Sequence, residues 1–172
     1  MGKDIWITSD THFGHENILR FTRQDGSLCR EFPSVYHMDN ELIERWNSVV
    51  KPQDKVYHLG DVAMRRKNII KVSLCHGHKR LVRGNHDIFP TKDYMQWFEE
   101  VYSFRKIDDV VMTHIPIHPE SLRHNWVNVH GHVHNNVERL HFGPRYLNVS
   151  TEVTNYTPLH IDQVRQLIKE QS

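Results

Sequence analysis

The chain has 172 residues, of which 38% are hydrophobic and 25% charged, and its 22 Lys plus Arg against 21 Asp plus Glu give a net charge of +1. This composition is typical of a globular protein, and we predict a single domain over residues 1–172. The near-neutral charge argues against a protein that holds nucleic acid through a broad basic surface. It does not argue against a local basic pocket. The longest hydrophobic run is three residues, against about 20 for a membrane helix. We therefore expect neither a membrane span nor a signal-peptide core.

Cysteine and histidine usage narrows the class further. Cys29 and Cys75 cannot make a disulfide framework and lack the C-x-x-C spacing of a zinc or redox motif. The simplest inference is a reducing, cytoplasmic setting. The chain contains 15 histidines, most of them in a few clusters, and this excess directs attention to metal binding.

Hydrophobic periodicity predicts alternating strands and helices in the first half of the chain. The predicted strands lie at 4–9, 55–59 and 80–83, and the predicted helices at 39–50, 68–75 and 93–101, the first of them capped by Asp39 or Asn40. The second half is predicted to form strands at 110–113, 126–130 and 146–150, followed by an amphipathic helix at 161–170. An αβ half followed by a strand-rich half predicts an α/β fold with two packed sheets flanked by helices.

Side chains that can bind metals follow several of these predicted strands. The carboxyl ends of strands in an open α/β sheet converge on one crevice, so residues far apart in sequence can meet there. The candidates, in chain order, are Asp10, His12, Asp61, Asn85, His86, Asp87, His114, His132 and His134.

The motifs differ in how specific they are. In the G-N-H-D segment at 84–87, the amide oxygen of Asn85 can ligate a cation, and His86 with Asp87 could form an oriented acid–base pair. The H-x-H segment at 132–134 aims two imidazoles to one side of an extended chain. Taken singly, the other candidates could be turn, cap or structural residues. The carboxylate of Asp61 can bridge two cations, which an imidazole cannot do.

In their order, D-x-H, G-D, G-N-H-D, a strand-end histidine and G-H-x-H resemble the motif series of the calcineurin-like metallophosphoesterases. The resemblance covers residues 10–134, and the segment at 9–18 is similar to that of small stand-alone members from bacteria and phages. It implies the family fold, an αββα sandwich of two face-to-face mixed β-sheets with helices outside.

The resemblance also implies roles for individual residues. The first metal would be held by Asp10, His12 and His134, the second by Asn85, His114 and His132, and Asp61 would bridge them. His86 would be the catalytic histidine, with Asp87 supporting it. Arg65 stands four residues after the G-D aspartate, where protein phosphatases of this superfamily carry a phosphate-binding arginine. His15 either reaches the substrate or packs.

The expected activity is that of a metal-dependent phosphoric ester hydrolase. The oxygen and nitrogen donors favour two divalent transition-metal ions, manganese first, with iron, zinc, nickel, cobalt or magnesium as alternatives. A metal-bridged hydroxide would attack phosphorus, and His86 would protonate the leaving group. We expect a phosphodiesterase acting on a small nucleotide-type phosphate ester. The alternatives are a phosphomonoesterase or protein phosphatase-like activity, a nuclease, or a non-catalytic metal-stabilised scaffold.

Specificity is expected to come from two loops. The first, at 15–31, carries Arg20, Arg23 and Arg30, and the second, at 115–125, carries His118 and Arg123. These side chains could contact a substrate or be ordinary solvated surface. The sequence predicts no particular oligomeric state.

Overall fold

The computed structural model describes residues 4–136 and 143–171. Nine strands form the frame of this part of the chain, beginning with β1 (Ile5–Thr8). The other strands are β2 (Lys55–His58), β3 (His78–Val82), β4 (Glu100–Tyr102), β5 (Arg105–Ile107), β6 (Val110–Met112), β7 (Val127–His130), β8 (Tyr146–Asn148) and β9 (Leu159–His160). The α-helices are α1 (Val35–Val49), α2 (Thr91–Tyr94) and α3 (Ile161–Glu170), and 3-10 helices cover Glu16–Arg20, Arg66–Leu74 and Pro119–Ser121.

The strands form two mixed sheets. The five-stranded sheet has the order β4-β3-β2-β1-β9 and is parallel except for β9. The four-stranded sheet has the order β5-β6-β7-β8 and is parallel except for β5. This architecture confirms the predicted α/β fold of two mixed sheets flanked by helices.

Two apolar layers hold the sheets and helices together. Between the sheets, Ile7 of β1 and Val82 of β3 belong to one buried cluster with Met112 of β6 and Val129 of β7, and α3 contributes Val164 to the same cluster. The outer face of the five-stranded sheet is covered by α1 and the 3-10 helix Arg66–Leu74. Helix α1 buries Met38, Leu42 and Trp46, whose spacing of four residues places them on one helical face.

Several predicted elements have different bounds or a different type. Helix α1 begins four residues earlier than predicted, because the hydroxyl of Ser34 accepts a hydrogen bond from the backbone amide of His37 and caps it. Asp39, one of the two predicted caps, is instead buried, accepts a hydrogen bond from the Gly14 amide at 3.0 Å and pairs with Lys71. The predicted helix at 68–75 is a 3-10 helix over Arg66–Leu74.

The predicted helix at 93–101 is wrong for most of its length. Helix α2 spans only Thr91–Tyr94, and Glu100–Tyr102 forms β4, which pairs in parallel with β3. An available sheet edge thus overrides the local helical pattern. Strands β5 and β9 were not predicted, because segments of two or three residues carry too little periodicity to indicate a strand.

The carboxyl ends of strands from both sheets meet at one edge of the molecule. A parallel bridge joins Ser9, just after β1, to Ser150, just after β8. The Asp10 amide donates to the carbonyl of Gly60 at 2.9 Å, and the Gly131 amide donates to that of His114 at 3.0 Å. These contacts bring together the loops that carry the candidate residues. In the described part of the chain, no helix is long and apolar enough to cross a membrane.

Candidate metal centre

The backbone is left-handed at five of the predicted metal ligands. The φ angles are 59° for Asp10, 48° for His12, 57° for Asp61, 72° for His132 and 50° for His134. Non-glycine residues rarely adopt this region, which costs on the order of 1–3 kcal/mol for each residue and persists where surrounding structure imposes it, often at functional sites. The chain therefore bends sharply just after β1, β2 and β7, and the bends carry these residues to the common edge of the sheets.

The first group of ligand atoms comes from Asp10, His12 and His134. In the described residues, one ligand atom from each lies within 4.8 Å of the others. Nε2 of His12 and Nε2 of His134 are each 3.9 Å from Oδ1 of Asp10. The rings of the two histidines are stacked, with centroids 5.1 Å apart. A single cation could contact all three side chains.

The second group comes from Asn85, His114 and His132. Oδ1 of Asn85 lies 2.8 Å from Nε2 of His114 and 2.9 Å from Nδ1 of His132. Nδ1 of His114 faces the carbonyl of Leu59 at 2.7 Å and donates to it, which directs Nε2 toward Asn85 and Asp61.

Asp61 lies between the two groups. Its Oδ2 is 3.6 Å from Nε2 of His12 and 3.4 Å from Nε2 of His114, while its Oδ1 accepts a hydrogen bond from the His86 amide at 2.8 Å. Burial opposes ionisation of this carboxyl, but hydrogen bonding and charge from His114 outweigh it and lower the pKa of Asp61. The side chain is therefore a carboxylate that faces both sets of nitrogen donors.

His12 provides a test of whether these residues fit a metal. Both ring nitrogens are buried, and neither has a hydrogen-bond partner among the described residues. Burial lowers the pKa of His12 well below its usual value, helped by the positive charge of Arg30, so the ring is neutral and has a free lone pair. A buried nitrogen without a partner is costly, whereas a neutral imidazole is a common metal ligand. The site therefore fits a divalent cation.

Glu152 is a buried residue of the site that sequence reasoning missed. Its Oε1 accepts hydrogen bonds from Nδ1 of His134 at 3.0 Å and from Nε of Arg30 at 2.6 Å. Although burial opposes its ionisation, the charge of Arg30 and the bond from His134 hold the pKa of Glu152 at about 2. No motif marks this residue in the sequence. Cys29 lies in the same cluster as His134 and Glu152, and burial, followed by the charge of Glu152, raises the pKa of its thiol to about 11.

Arg30, which lies in one of the predicted specificity loops, is 1% exposed. Besides its pairing with Glu152, its guanidinium donates to the carbonyls of Asp10 and Thr11 and to the hydroxyl of Thr151. It thus supports the backbone of the D-x-H turn. The loop arginine that does line the site is Arg23.

Asp87 has a different partner from the one predicted. Its carboxylate accepts hydrogen bonds from the backbone amides of Asp61 at 2.8 Å, Val62 at 3.0 Å and Gly84 at 2.9 Å. These bonds tie the loop after β3 to the loop after β2, so Asp87 positions the backbone of Asp61 rather than orienting the His86 imidazole. His86 is exposed, and its ring centroid lies 5.7 Å from that of His12.

A cleft of about 370 Å³ opens over the first group of ligands. We call it the metal cleft; its lining includes His12, His15, Phe21, Arg23, His86 and His134. The His15 ring lies 5.6 Å from that of His12, and burial, followed by the charge of Arg30, lowers the pKa of His15 to about 4. His15 thus reaches the cleft as a neutral imidazole.

Arg65 is not brought to the metal cleft. It lines a separate cavity of about 300 Å³, together with Lys67 and Lys71, and His15 borders both spaces. The predicted correspondence with the phosphatase arginine is therefore not reproduced in the placement of this side chain.

Comparison with known proteins gives relatives over most of the chain. No protein-family profile matches it. The chain is 33% identical to the uncharacterized protein MJ1445 of Methanocaldococcus jannaschii, over 98% of this chain and 93% of that protein. It is 30% identical to the Gene 66 protein of Mycobacterium phage L5, over 76% of this chain and 77% of that protein. The crystal structure of AQ665, a protein of unknown function from Aquifex aeolicus, overlaps 96% of this chain and all of that one with a TM-score of 0.74 at 26% identity.

Proposed function

This chain belongs to the same family as the MJ1445 protein and the phage Gene 66 protein, and we propose that it is a phosphoesterase that holds two divalent cations. The observation that carries the proposal is the placement of Asp61, whose Oδ2 faces His12 on one side and His114 on the other at 3.6 and 3.4 Å. A carboxylate between two sets of nitrogen and oxygen donors is the arrangement that a pair of bridged cations requires.

The donors favour particular metals. The six other ligands would be Asp10, His12 and His134 for one cation and Asn85, His114 and His132 for the other. Carboxylate, amide and imidazole donors without a thiolate suit manganese, with iron, zinc, nickel, cobalt or magnesium as alternatives. When bound, such cations would supply positive charge for the phosphoryl oxygens and would lower the pKa of a water molecule toward neutrality.

The protein's own side chains supply the remaining chemistry. In hydrolysis, the oxygen of water bonds to phosphorus, the ester P–O bond breaks, and the leaving oxygen needs a proton. His86 is exposed beside His12 at the metal cleft, and its backbone is fixed by the hydrogen bond to Asp61. It would give that proton to the leaving oxygen as general acid. Asp87 holds the loop after β3 against Asp61 and so keeps His86 at this position.

The substrate we propose is a small phosphodiester of nucleotide type. The exposed, open position of Asn85 and His86 leaves room for a second ester group. The separation of Arg65 from the metal cleft removes the feature that would favour a protein phosphatase-like activity. A net charge of +1 gives little support to a nuclease that follows a long strand. The two free cysteines support a cytoplasmic setting for this activity.

The test is hydrolysis of bis-p-nitrophenyl phosphate and p-nitrophenyl phosphate by metal-stripped protein resupplied with manganese. We expect faster turnover of the diester, two metal ions per chain by elemental analysis, and a loss of about 10²-fold or more in kcat for His86→Ala with the metal content retained. The matched control is His78→Ala, which removes a histidine paired with Glu99 at the start of β3. If neither ester is hydrolysed with any of the six metals while two ions bind, the protein is a metal-stabilised scaffold instead.

A further inference from the structure

A second cavity, of about 570 Å³, opens beside the second group of ligands and is distinct from the metal cleft. We call it the apolar cavity. Its wall is formed mainly by Phe104, Val111, Ile115, Ile117 and Trp126, and it borders Asn85 and His114. Its volume falls in the range of small-molecule sites, which are concave, largely apolar and fitted with a few polar groups.

Two residues at this cavity leave large apolar side chains open to solvent. Phe104 is 60% exposed and Ile115 is 51% exposed. Ile115 follows directly after His114, so the apolar wall begins one residue from a proposed metal ligand. Apolar surface that lines a concavity next to reactive groups is favourably covered by an apolar part of a ligand.

The charges around the apolar cavity indicate an uncharged occupant. Apart from His114, the charged residue among its described lining residues is Arg83, and Nζ of Lys106 lies over the ring of the lining residue Trp126 at 4.7 Å, where it makes a cation–π contact. The guanidinium of Arg83 already donates to the carbonyls of Asp87 and Phe89 and to the hydroxyl of Thr91. It also lies over the ring of Tyr94 at 5.5 Å. Three of its five N–H donors are thus used within the loop, and the wall of the cavity offers mainly apolar contact.

We propose that the apolar cavity binds an organic substituent of the phosphate ester, and that this substituent is a neutral, planar ring. The proposal rests on the proposed function, because the phosphoryl group must lie between the two groups of ligands for its substituent to enter the cavity. The aromatic side chains of Phe104 and Trp126 favour a ring over a branched aliphatic group, since aromatic pairs pack by offset or edge contacts. The shared chemistry covers an aryl group and a nucleobase alike.

The first test measures binding without turnover. Calorimetric titration of manganese-loaded protein with phenylphosphonate and methylphosphonate compares two ligands with the same phosphoryl group. We expect phenylphosphonate to bind about tenfold more tightly. In Ile115→Ser, the ratio of the two dissociation constants should fall about threefold or more. The matched control is Ile70→Ser, because Ile70 is 53% exposed and lies in the 3-10 helix Arg66–Leu74, outside the lining of both the metal cleft and the apolar cavity.

A second variant fills the apolar cavity instead of trimming its wall. Ser121 is an exposed lining residue, so Ser121→Phe should weaken phenylphosphonate more than methylphosphonate, whereas Ser48→Phe on α1 should weaken neither. Equal affinity for the two phosphonates, or no binding of phenylphosphonate, overturns the proposal. So does an Ile115→Ser ratio equal to that of Ile70→Ser.

Hydrolysis of two esters with one leaving group separates this proposal from the proposed function. p-Nitrophenyl phenylphosphonate and p-nitrophenyl methylphosphonate both release p-nitrophenolate, and we expect the phenyl ester to have the higher kcat/KM. If phenylphosphonate binds with the expected selectivity but neither ester is hydrolysed, the cavity assignment stands and the phosphoesterase assignment fails. If both esters are hydrolysed at equal kcat/KM and the two phosphonates bind equally, the phosphoesterase stands and the cavity assignment fails.

Discussion

His134 and Glu152 are joined by a hydrogen bond of 3.0 Å from Nδ1 of the imidazole to Oε1 of the carboxylate. The bond directs the other ring nitrogen, Nε2, toward Asp10. The same carboxylate pairs with Arg30, which also donates to the carbonyl of Asp10. A buried ion pair thus orients one ligand of the first group and supports the backbone of another.

This arrangement predicts that Glu152→Gln weakens metal binding. Partners behind a ligating histidine fix its orientation and raise its basicity, and their loss costs about 10- to 100-fold in metal affinity. Manganese titration of the metal-stripped protein measures the effect. The control is Glu99→Gln, because Glu99 pairs with His78 at 2.5 Å on the exposed side of the molecule. Equal affinities for the two variants would show that Glu152 does not position His134.

Metal removal should lower thermal stability. His12 keeps two buried ring nitrogens without partners among the described residues, and a cation bound to one of them relieves part of that cost. At a free metal concentration 1,000 times its dissociation constant, one site adds about 4 kcal/mol to the free energy of unfolding, which corresponds to roughly 8–16 °C in Tm for a domain of this size. Calorimetry with manganese and with a chelator measures the difference. Asp61→Asn should abolish it, whereas Asp108→Asn, at an exposed ion pair with Arg165, should retain it.

Glycine is required at position 84 because the structure leaves no room there for a side chain. A Cβ at this position would collide with the Oδ1 atom and backbone amide of Asp61, so Gly84→Ala should displace the bridging carboxylate. We expect reduced metal content and a loss of about 1–3 kcal/mol in unfolding free energy, as for overpacking. Elemental analysis and urea denaturation measure both quantities. Gly26→Ala is the control: its Cβ meets no atom within 4 Å, although its φ of +82° adds some backbone strain. Full metal content in Gly84→Ala would contradict the prediction.

The burial of His58 predicts that the free energy of unfolding decreases in mild acid. The ring is fully buried, accepts from the Gly60 amide at 3.2 Å and contacts the Thr11 hydroxyl at 2.9 Å. Burial lowers the pKa of His58 to about 3, whereas an unfolded chain protonates it near 6.5. Because the unfolded state binds the extra proton, the contribution of neutral His58 to the free energy of unfolding is fully present above about pH 6.5. This contribution is lost as the pH falls toward 3.

The expected size of this effect is about 1.4 kcal/mol between pH 7.5 and 5.5. Urea denaturation of the metal-free protein at the two pH values measures it. The other ionisable groups are common to both proteins, so the quantity to compare is the pH-dependent change in wild type minus that in His58→Gln. Parallel stability curves for the two proteins would rule out His58 as a source of the acid sensitivity.

The sequence by itself determined the frame and the location of the candidate site. Alternating apolar residues indicated β1, β2 and β3, and helical spacing indicated the helix at Ile161–Glu170 with its observed bounds. Strand-end polar residues such as Asp10, Asp61 and His114 could be placed at one edge because parallel strands end at a common edge. This inference needs only local periodicity and the geometry of a sheet, both of which are written in short segments of sequence.

Only the tertiary structure decided which side chains face one another. Arg30 and Glu152 are 122 residues apart in the chain, and no local pattern distinguishes either from a surface residue. The same holds for Asp87. Its position next to His86 in the sequence suggested a pairing, whereas in the packed loops its carboxylate accepts hydrogen bonds from the backbone amides of Asp61 and Val62. Strand β4 formed where a helix was predicted, because the edge of β3 offered backbone partners. These contacts depend on packing between segments that are distant in the sequence, which the periodicity of short segments cannot predict.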